Sequence, residues 1–413
     1  SAASDVYKRQ QLVVAPTSVT MNWLSEIERF APTLNVRPYH HQRNLSDLAA
    51  FDLVVVSYGL LQQDSEIFTS QHWHSIVLDE AQAIKNANTK RSQTVMALQA
   101  DFKLAVSGTP IENHLGELWN LFRFLNPGLL GSQERFNERF ALPIERGENT
   151  AKKALKMLIQ PFLLRRSKNQ VLDELPPRTE ITHKISLSPG ERHWYEALRQ
   201  QAVETLTETK HKPLQVLAEI TKLRRFCCHP SLVLNDAEIS SSKLVACIEI
   251  IEELLSNQHK VLIYSQFVDH LSIVRHRLTE LEISYQYLDG STPMLERKKR
   301  VDAFQNGEMD VFLISLKAGG TGLNLTAADY IIHLDPWWNP AVEDQASDRA
   351  HRMGQKRPVT VYRLVTENTI EEQIVALHAK KRDLADSLLE GGEVSGKLDA
   401  DALLDLLRGG LAC

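Results

Sequence analysis

Asp79 and Glu80 close the apolar run SIVLDEAQ (75–82), in which Ile76, Val77 and Leu78 carry no polar side chain. Two adjacent carboxylates at a buried strand end repel each other unless something offsets their charge. A magnesium ion on one, with a water polarised by the other, is such an arrangement. The plainer alternative is an acidic pair at the start of the next helix. A second segment, DQASDRAHRMGQ (344–355), sets Gln345, Arg349 and Arg352 at i, i+4 and i+7, which on a helix is one face. Here the alternative is an exposed Asp348–Arg352 pair four residues apart, worth roughly a few tenths of a kcal/mol.

Three other loops follow apolar runs. Ser107-Gly108-Thr109 places small hydroxyl residues around a glycine, a composition that lets backbone approach backbone and can relay a change between sites, and that also suits an ordinary turn. LKAGGTGLNLTAAD (316–329) offers three glycines, two threonines and Asn324 as N–H and hydroxyl donors for phosphate oxygens. Trp337 and Trp338 come next; an exposed indole pair is costly unless it stacks or wedges, and for Trp337 a buried plug is the preferred reading. Lys317 and the group Arg297, Lys298, Lys299 and Arg300 add local positive charge, the last three most simply as a solvated helix face.

The elements that must hold these loops follow an α/β rhythm. Apolar strands at QLVVAP (11–16), FDLVVVSY (51–58), SIVLDEAQ and FKLAVSGTP (102–110) alternate with helical segments such as SVTMNWLSEIERFA. From 115 to about 242 the spacing turns helical, as in GELWNLFRFL, broken by PPRT (176–179) and SLSPGE (186–191). Strands resume at KVLIYSQF (260–267), ISYQYLDG (283–290), DVFLISL (310–316), YIIHLD (330–335) and VTVYRLV (359–365), followed by the helical TIEEQIVALHAKKRDLADSLL (369–389). Continuous apolar strands between helices indicate parallel sheets covered on both faces. The expected divisions are a nondescript end (1–10), a first α/β unit (11–114), helical insertions and connector (115–242), a second α/β unit (243–375) and a C-terminal helix and tail (376–413).

Length and composition narrow the class. A chain of 413 residues suggests roughly two or three domains. Lys and Arg number 47 against 52 Asp and Glu, a net charge of -5, so any nucleic-acid contact must come from a local patch. No apolar run approaches the ~20 residues of a membrane span, and no signal-peptide core opens the sequence, so a cytoplasmic protein without membrane contact is expected. Four cysteines make no disulfide framework, and the adjacent Cys227, Cys228 and His229 lack the separated pairs of a zinc motif.

Taken in order, the blocks LVVAPTSVTMNW, VVSYG, LDEAQAIKN, LAVSGTPIENHLGELWNLFRFLNP, PFLLRRSK with LPPRTE, LRRFCCHP, VLIYSQF, YLDGST, ISLKAGGTGLNLTAADYIIHLDPWWNP and DQASDRAHRMGQKRPVTVYRL resemble the SWI/SNF-type branch of the superfamily 2 helicase-like ATPases. The likeness spans residues 11 to 375. It implies two RecA-like parallel-sheet lobes with helical insertions between them, ATP and Mg2+ as cofactors, and double-stranded DNA, with DNA-bound protein, as partner. The compact middle segment is closer to the family's bacterial members, for which a nucleoid association would follow.

The resemblance also implies roles. Asp79 would hold magnesium and Glu80 position the attacking water. Arg349 and Arg352 would be arginine fingers to the γ-phosphate, with Gln345 in the same motif and Gly320 and Gly354 beside the nucleotide. Such a fork stabilises charge spreading over a transferring phosphoryl group. Ser107 and Thr109, with Gln82, would couple hydrolysis to DNA grip; Thr17, Ser57, Lys317, Thr321, Asn324 and Trp338 would contact DNA.

Two departures qualify this. The family's G-x-x-x-x-G-K-[ST] loop occurs nowhere in the chain, so an incomplete first lobe, a truncated protein and an inactive fragment are expected. The fourth residue of DEAQ is Gln82 where many relatives carry His; an amide hydrogen-bonds but does not titrate. The other readings are an RNA- or single-strand-stimulated ATPase, and a non-catalytic module that docks on DNA or a partner.

Overall fold

The computed structural model describes residues 9–40, 43–108, 115–164, 175–208, 213–234, 239–319 and 323–378. The chain divides into two units at Leu163–Leu164. The split falls inside the segment expected to be helical insertions, so the insertion helices are shared between the units.

The first unit is built on five parallel strands, β1 (Gln11–Ala15), β2 (Val36–Pro38), β3 (Leu53–Ser57), β4 (His72–Leu78) and β5 (Gln99–Ala105), in the order β2-β3-β1-β4-β5. Successive residues of β1 enter opposite cores: Leu12 and Val14 pack with Val54, Val56, Ile76 and Leu78, while Val13 packs with Ile27, Leu53 and Val55. That two-faced burial is what a continuous apolar strand buys, and it requires helices on both sides. They include α1 (Thr17–Phe30), α2 (Tyr58–Gln63), α3 (Lys90–Ala97) and α4 (Leu115–Leu125). Ser57 and Thr89 cap α2 and α3 by accepting the N–H groups of Leu60 and Ser92. Arg9 and Gln10, expected to belong to a nondescript end, are part of this unit: Arg9 lies over Phe51 and the Gln10 carbonyl accepts the His74 N–H. The rest of that end lies outside the described residues.

β5 differs from the other strands. It pairs only with β4 among the described residues, and Phe102 and Leu104, two apart and so on one face, are 58% and 42% exposed.

The second unit holds six parallel strands, β6 (Arg178–Ile185), β7 (Val261–Ser265), β8 (Tyr285–Leu288), β9 (Val311–Ser315), β10 (Tyr330–His333) and β11 (Val359–Thr366), in the order β6-β11-β10-β7-β9-β8. Helices α5 (Pro189–Glu208), α6 (Pro213–Cys228), α7 (Ser242–Ser256), α8 (Val268–Glu280), α9 (Met294–Gln305) and α10 (Pro340–Ser347) accompany them. β6 corrects the helical reading of 115–242. It aligns with β11 along all eight of its residues, yet as an edge strand its sequence, RTEITHKI, is mostly polar and hides the signal. Residues 370–378 are helical, and the remainder of the expected C-terminal helix lies outside the described residues.

Candidate functional site

In the first unit the acidic pair sits where parallel strands end. The Asp79 N–H donates to the Val14 carbonyl, continuing the β1–β4 ladder by one residue. Its carboxylate accepts the Trp23 indole N–H on Oδ2 at 2.8 Å and the Glu80 backbone N–H on Oδ1 at 2.9 Å, and the Tyr58 hydroxyl donates to its carbonyl at 2.9 Å. Burial, helped by Asp79, pushes the Tyr58 hydroxyl up, so it stays protonated and donating. Glu80 takes left-handed backbone, φ 49°, a conformation an L-residue adopts only when its surroundings hold it. Glu80 stands at the N-cap of the following turn without a side-chain cap bond.

Gln82 turns this pair into a relay. Its Nε2 donates to Glu80 Oε2 at 2.6 Å, and its Oε1 accepts the Ser107 hydroxyl at 2.8 Å. A chain of hydrogen bonds therefore joins the ends of β4 and β5. The loop is fastened from behind by Asn120 of α4, fully buried, whose amide donates to the Ile84 carbonyl and the Ser92 hydroxyl. Asn120 and Trp23 were missed as site residues; for Trp23 the adjacent Asn-Trp pair was the available signal. Both Asp79 oxygens already accept one N–H, and each retains a lone pair, so this hard-oxygen set fits a magnesium ion. Thr109 lies outside the described residues. Thr17 is exposed at the start of α1, whereas Ser57, expected at DNA, is buried and spends its hydroxyl on the α2 cap.

In the second unit, α10 ends at Ser347, so Gln345 is helical but Arg349 and Arg352 lie on the turns beyond it. The one-face expectation fails there. The turns are closed by backbone bonds, from Arg349 N–H to the Ala346 carbonyl and from Gln355 N–H to the Arg352 carbonyl, and Gly354 takes φ +97°. Nothing lies within 4 Å of a Cβ built at Gly354, so only the backbone demands glycine. Gly354→Ala is expected to cost about 1–3 kcal/mol, read as a lower urea midpoint, with Gly354→Asn milder than Gly354→Val.

The Asp348–Arg352 pair does not form. Arg178, at the start of β6, takes both acids: its Nη2 donates to Asp344 at 3.0 Å and its Nη1 to Asp348 at 3.4 Å. Arg352 is left half-buried with no side-chain hydrogen bond or ion pair among the described residues. The segment is stitched to the glycine-rich loop after β9, since the Leu325 N–H donates to the Arg349 carbonyl at 3.0 Å and Gln355 Nε2 donates to the Ala328 and Ala350 carbonyls. Within that loop Lys317 and Asn324 are exposed, while Gly320 and Thr321 lie outside the described residues.

Trp338 is packed on one side. It is half-buried against the core of Leu187, Tyr195, Leu223 and Ile370, and both tryptophans lie over the Arg224 guanidinium, at 5.2 Å for Trp337 and 5.7 Å for Trp338. The packed side of its indole is thus accounted for. Arg300 is likewise occupied, donating to the Tyr287 carbonyl and Glu296, while Lys298 and Lys299 are exposed as expected. Cys227 is buried and its thiol is pushed up to about 12 by that burial, and His229 accepts the Ser231 N–H.

Comparison with known proteins places this arrangement. The SNF2-related domain model matches residues 3–232, and the helicase conserved C-terminal domain model matches residues 242–354. The chain belongs to the SNF2-related family. Among its relatives, this SNF2-related chain is 40% identical over 418 residues to the Bacillus subtilis helicase/translocase candidate YwqA, covering 97% of the chain and 45% of that protein. It is 34% identical over 427 residues to the human SWI/SNF-related matrix-associated actin-dependent regulator of chromatin subfamily A member 1, covering 97% and 41%. A solved Sulfolobus solfataricus SWI2/SNF2 ATPase core in complex with dsDNA aligns over 100% of the chain and 87% of its own at 35% identity, with a TM-score of 0.48. The chain thus spans less than half the length of these two curated relatives. Among the described residues no helix is long and apolar enough to cross a membrane.

Proposed function

We propose that the protein to which these residues belong hydrolyses ATP and uses it to move along double-stranded DNA. The observation that carries this is Arg352, a half-buried cation kept from Asp344 and Asp348 by Arg178 and held on a segment bonded to the glycine-rich loop. A guanidinium so placed is available to an anionic ligand. With Arg349 it supplies charge to the transferring phosphoryl group, and Gln345 and Gly354 keep the segment in shape.

Asp79 would hold magnesium, which would supply positive charge to offset that of the phosphate. Glu80 orients the attacking water, and its bond to Gln82, continued to Ser107, carries the change at the phosphate to the end of β5. Thr17, Lys317 and Asn324, all exposed, are the described candidates for backbone contact with DNA. Thr109, Gly320 and Thr321 keep the roles the family gives them.

The 413 residues alone are expected to be inactive, since the Lys-bearing phosphate loop is absent from the sequence. The open edge and exposed apolar row of β5 support this: a further parallel strand with its helix would cover them. A radiolabelled-ATP assay on this chain with duplex DNA should stay at background, and clear turnover refutes the inactivity. For the product of the full gene, turnover is expected to rise with duplex DNA and to fall with salt. Equal rates with and without duplex overturn the translocase reading; stronger stimulation by RNA or single strands replaces it with that of a strand-acting ATPase.

A further inference from the structure

Three side chains able to ligate a metal converge in the second unit. Cys228 is the last residue of α6, His270 lies in the first turn of α8, and Asp335 follows β10. They are 0%, 1% and 3% exposed, and one candidate donor atom from each lies within 4.8 Å of the other two. His270 Nδ1 has no hydrogen-bond partner. A buried imidazole nitrogen left so is unusual and calls for an occupant.

Asp335 is oriented by its neighbours. Ser265 donates a short hydrogen bond to Oδ1, and the Gln266 N–H lies 3.3 Å from both oxygens. Arg224 forms a buried ion pair with Asp335, its Nη2 3.7 Å from Oδ2, and the same nitrogen donates to Gln266 Oε1 and the Pro336 carbonyl. The carboxylate is thus fixed by a supporting residue, as metal-binding carboxylates usually are. The other nearby cation, Lys243, is occupied by Glu371.

We propose that Cys228, His270 and Asp335 bind one divalent ion of the zinc class. Thiolate, imidazole and carboxylate together suit a borderline-soft tetrahedral ion rather than magnesium or calcium, with the fourth position left to water. Binding exchanges the Cys228 thiol proton for the ion and releases that proton to solvent. Thiolate and carboxylate then offset the two positive charges of the ion, with the Arg224 guanidinium, held also by Gln266 and the Pro336 carbonyl, as a further cation beside the carboxylate. The site ties α6, α8 and the end of β10 together, a structural role separate from nucleotide chemistry.

The 413-residue chain, expressed with zinc in the medium and passed over chelating resin, should carry about one zinc per chain by mass spectrometry. After stripping, titration with Co2+ should raise a thiolate-to-metal charge-transfer band that saturates at about one equivalent. Cys228→Ser should abolish the band, His270→Ala should weaken Co2+ binding at least ~10-fold, and Cys247→Ser, a buried thiol outside the cluster, should leave both readouts unchanged. A wild-type chain without the band, or zinc retained in both cluster variants, overturns the proposal. The wild-type titration decides the matter even if a variant does not fold.

Discussion

Replacing Arg352 with Lys in the full gene product is expected to lower duplex-stimulated ATP turnover by about 10³-fold or more, with no loss of thermal stability. The size follows from what the side chain is for. Charge that develops over phosphoryl oxygens is met by a rigid planar fork, and a lysine ammonium offers one point charge on a flexible stem. The unchanged stability follows from what the side chain does not do: among the described residues Arg352 makes no side-chain hydrogen bond or ion pair, so its removal orphans nothing. Steady-state turnover and a melting curve measured together separate this from a folding defect. A kcat within about threefold of wild type would remove Arg352 from the reaction, because a finger of this kind acts in the transition state.

Lys243→Ala should produce the largest change in stability, about 3–5 kcal/mol in urea denaturation. Lys243 and Glu371 are both fully buried, with the ammonium 2.6 Å from each carboxylate oxygen. Glu371 Oε2 also accepts the Thr366 N–H and hydroxyl, so the acid is held on several sides. Truncating the lysine strands a carboxylate where water cannot reach it, and that desolvation is the source of the cost. Lys243→Met combined with Glu371→Leu should recover most of the loss, since it removes both charges. Burial works to lower the Lys243 ammonium, but Glu371 outweighs it and holds the group above its ordinary 10.5. A raised cation contributes stability that is complete below its unfolded pKa and lost as pH rises through the folded one. The pair should therefore be insensitive at neutral pH and weaken only in alkali beyond the usual lysine range. A K243A chain as stable as wild type would contradict the buried pair.

How much of this was legible depended on whether the signal was local. β1, β3, β7 and β9 announce themselves because strands buried on both faces must be apolar at every position. The acidic pair at the end of β4 and the glycine-rich loop after β9 could be placed for the same reason, since strand ends are where side chains converge. β6 could not: an edge strand has one partner, tolerates polar residues, and RTEITHKI carries too little periodicity to be told from a connector.

The sequence by itself determined the alternation of parallel strands and helices, the family, and which polar residues stand at strand ends, because these depend on periodicity and order along the chain. Tertiary structure alone decided which partners those residues take. Arg178 claims Asp344 and Asp348 from 166 and 170 positions away, and Arg352 pairs with neither. Trp338 packs into a helical core, Gln82 bridges Glu80 to Ser107, and Cys228 meets His270 and Asp335 instead of its own neighbours. Each outcome is a competition among side chains brought together by folding, and sequence spacing carries no record of who is nearest in space.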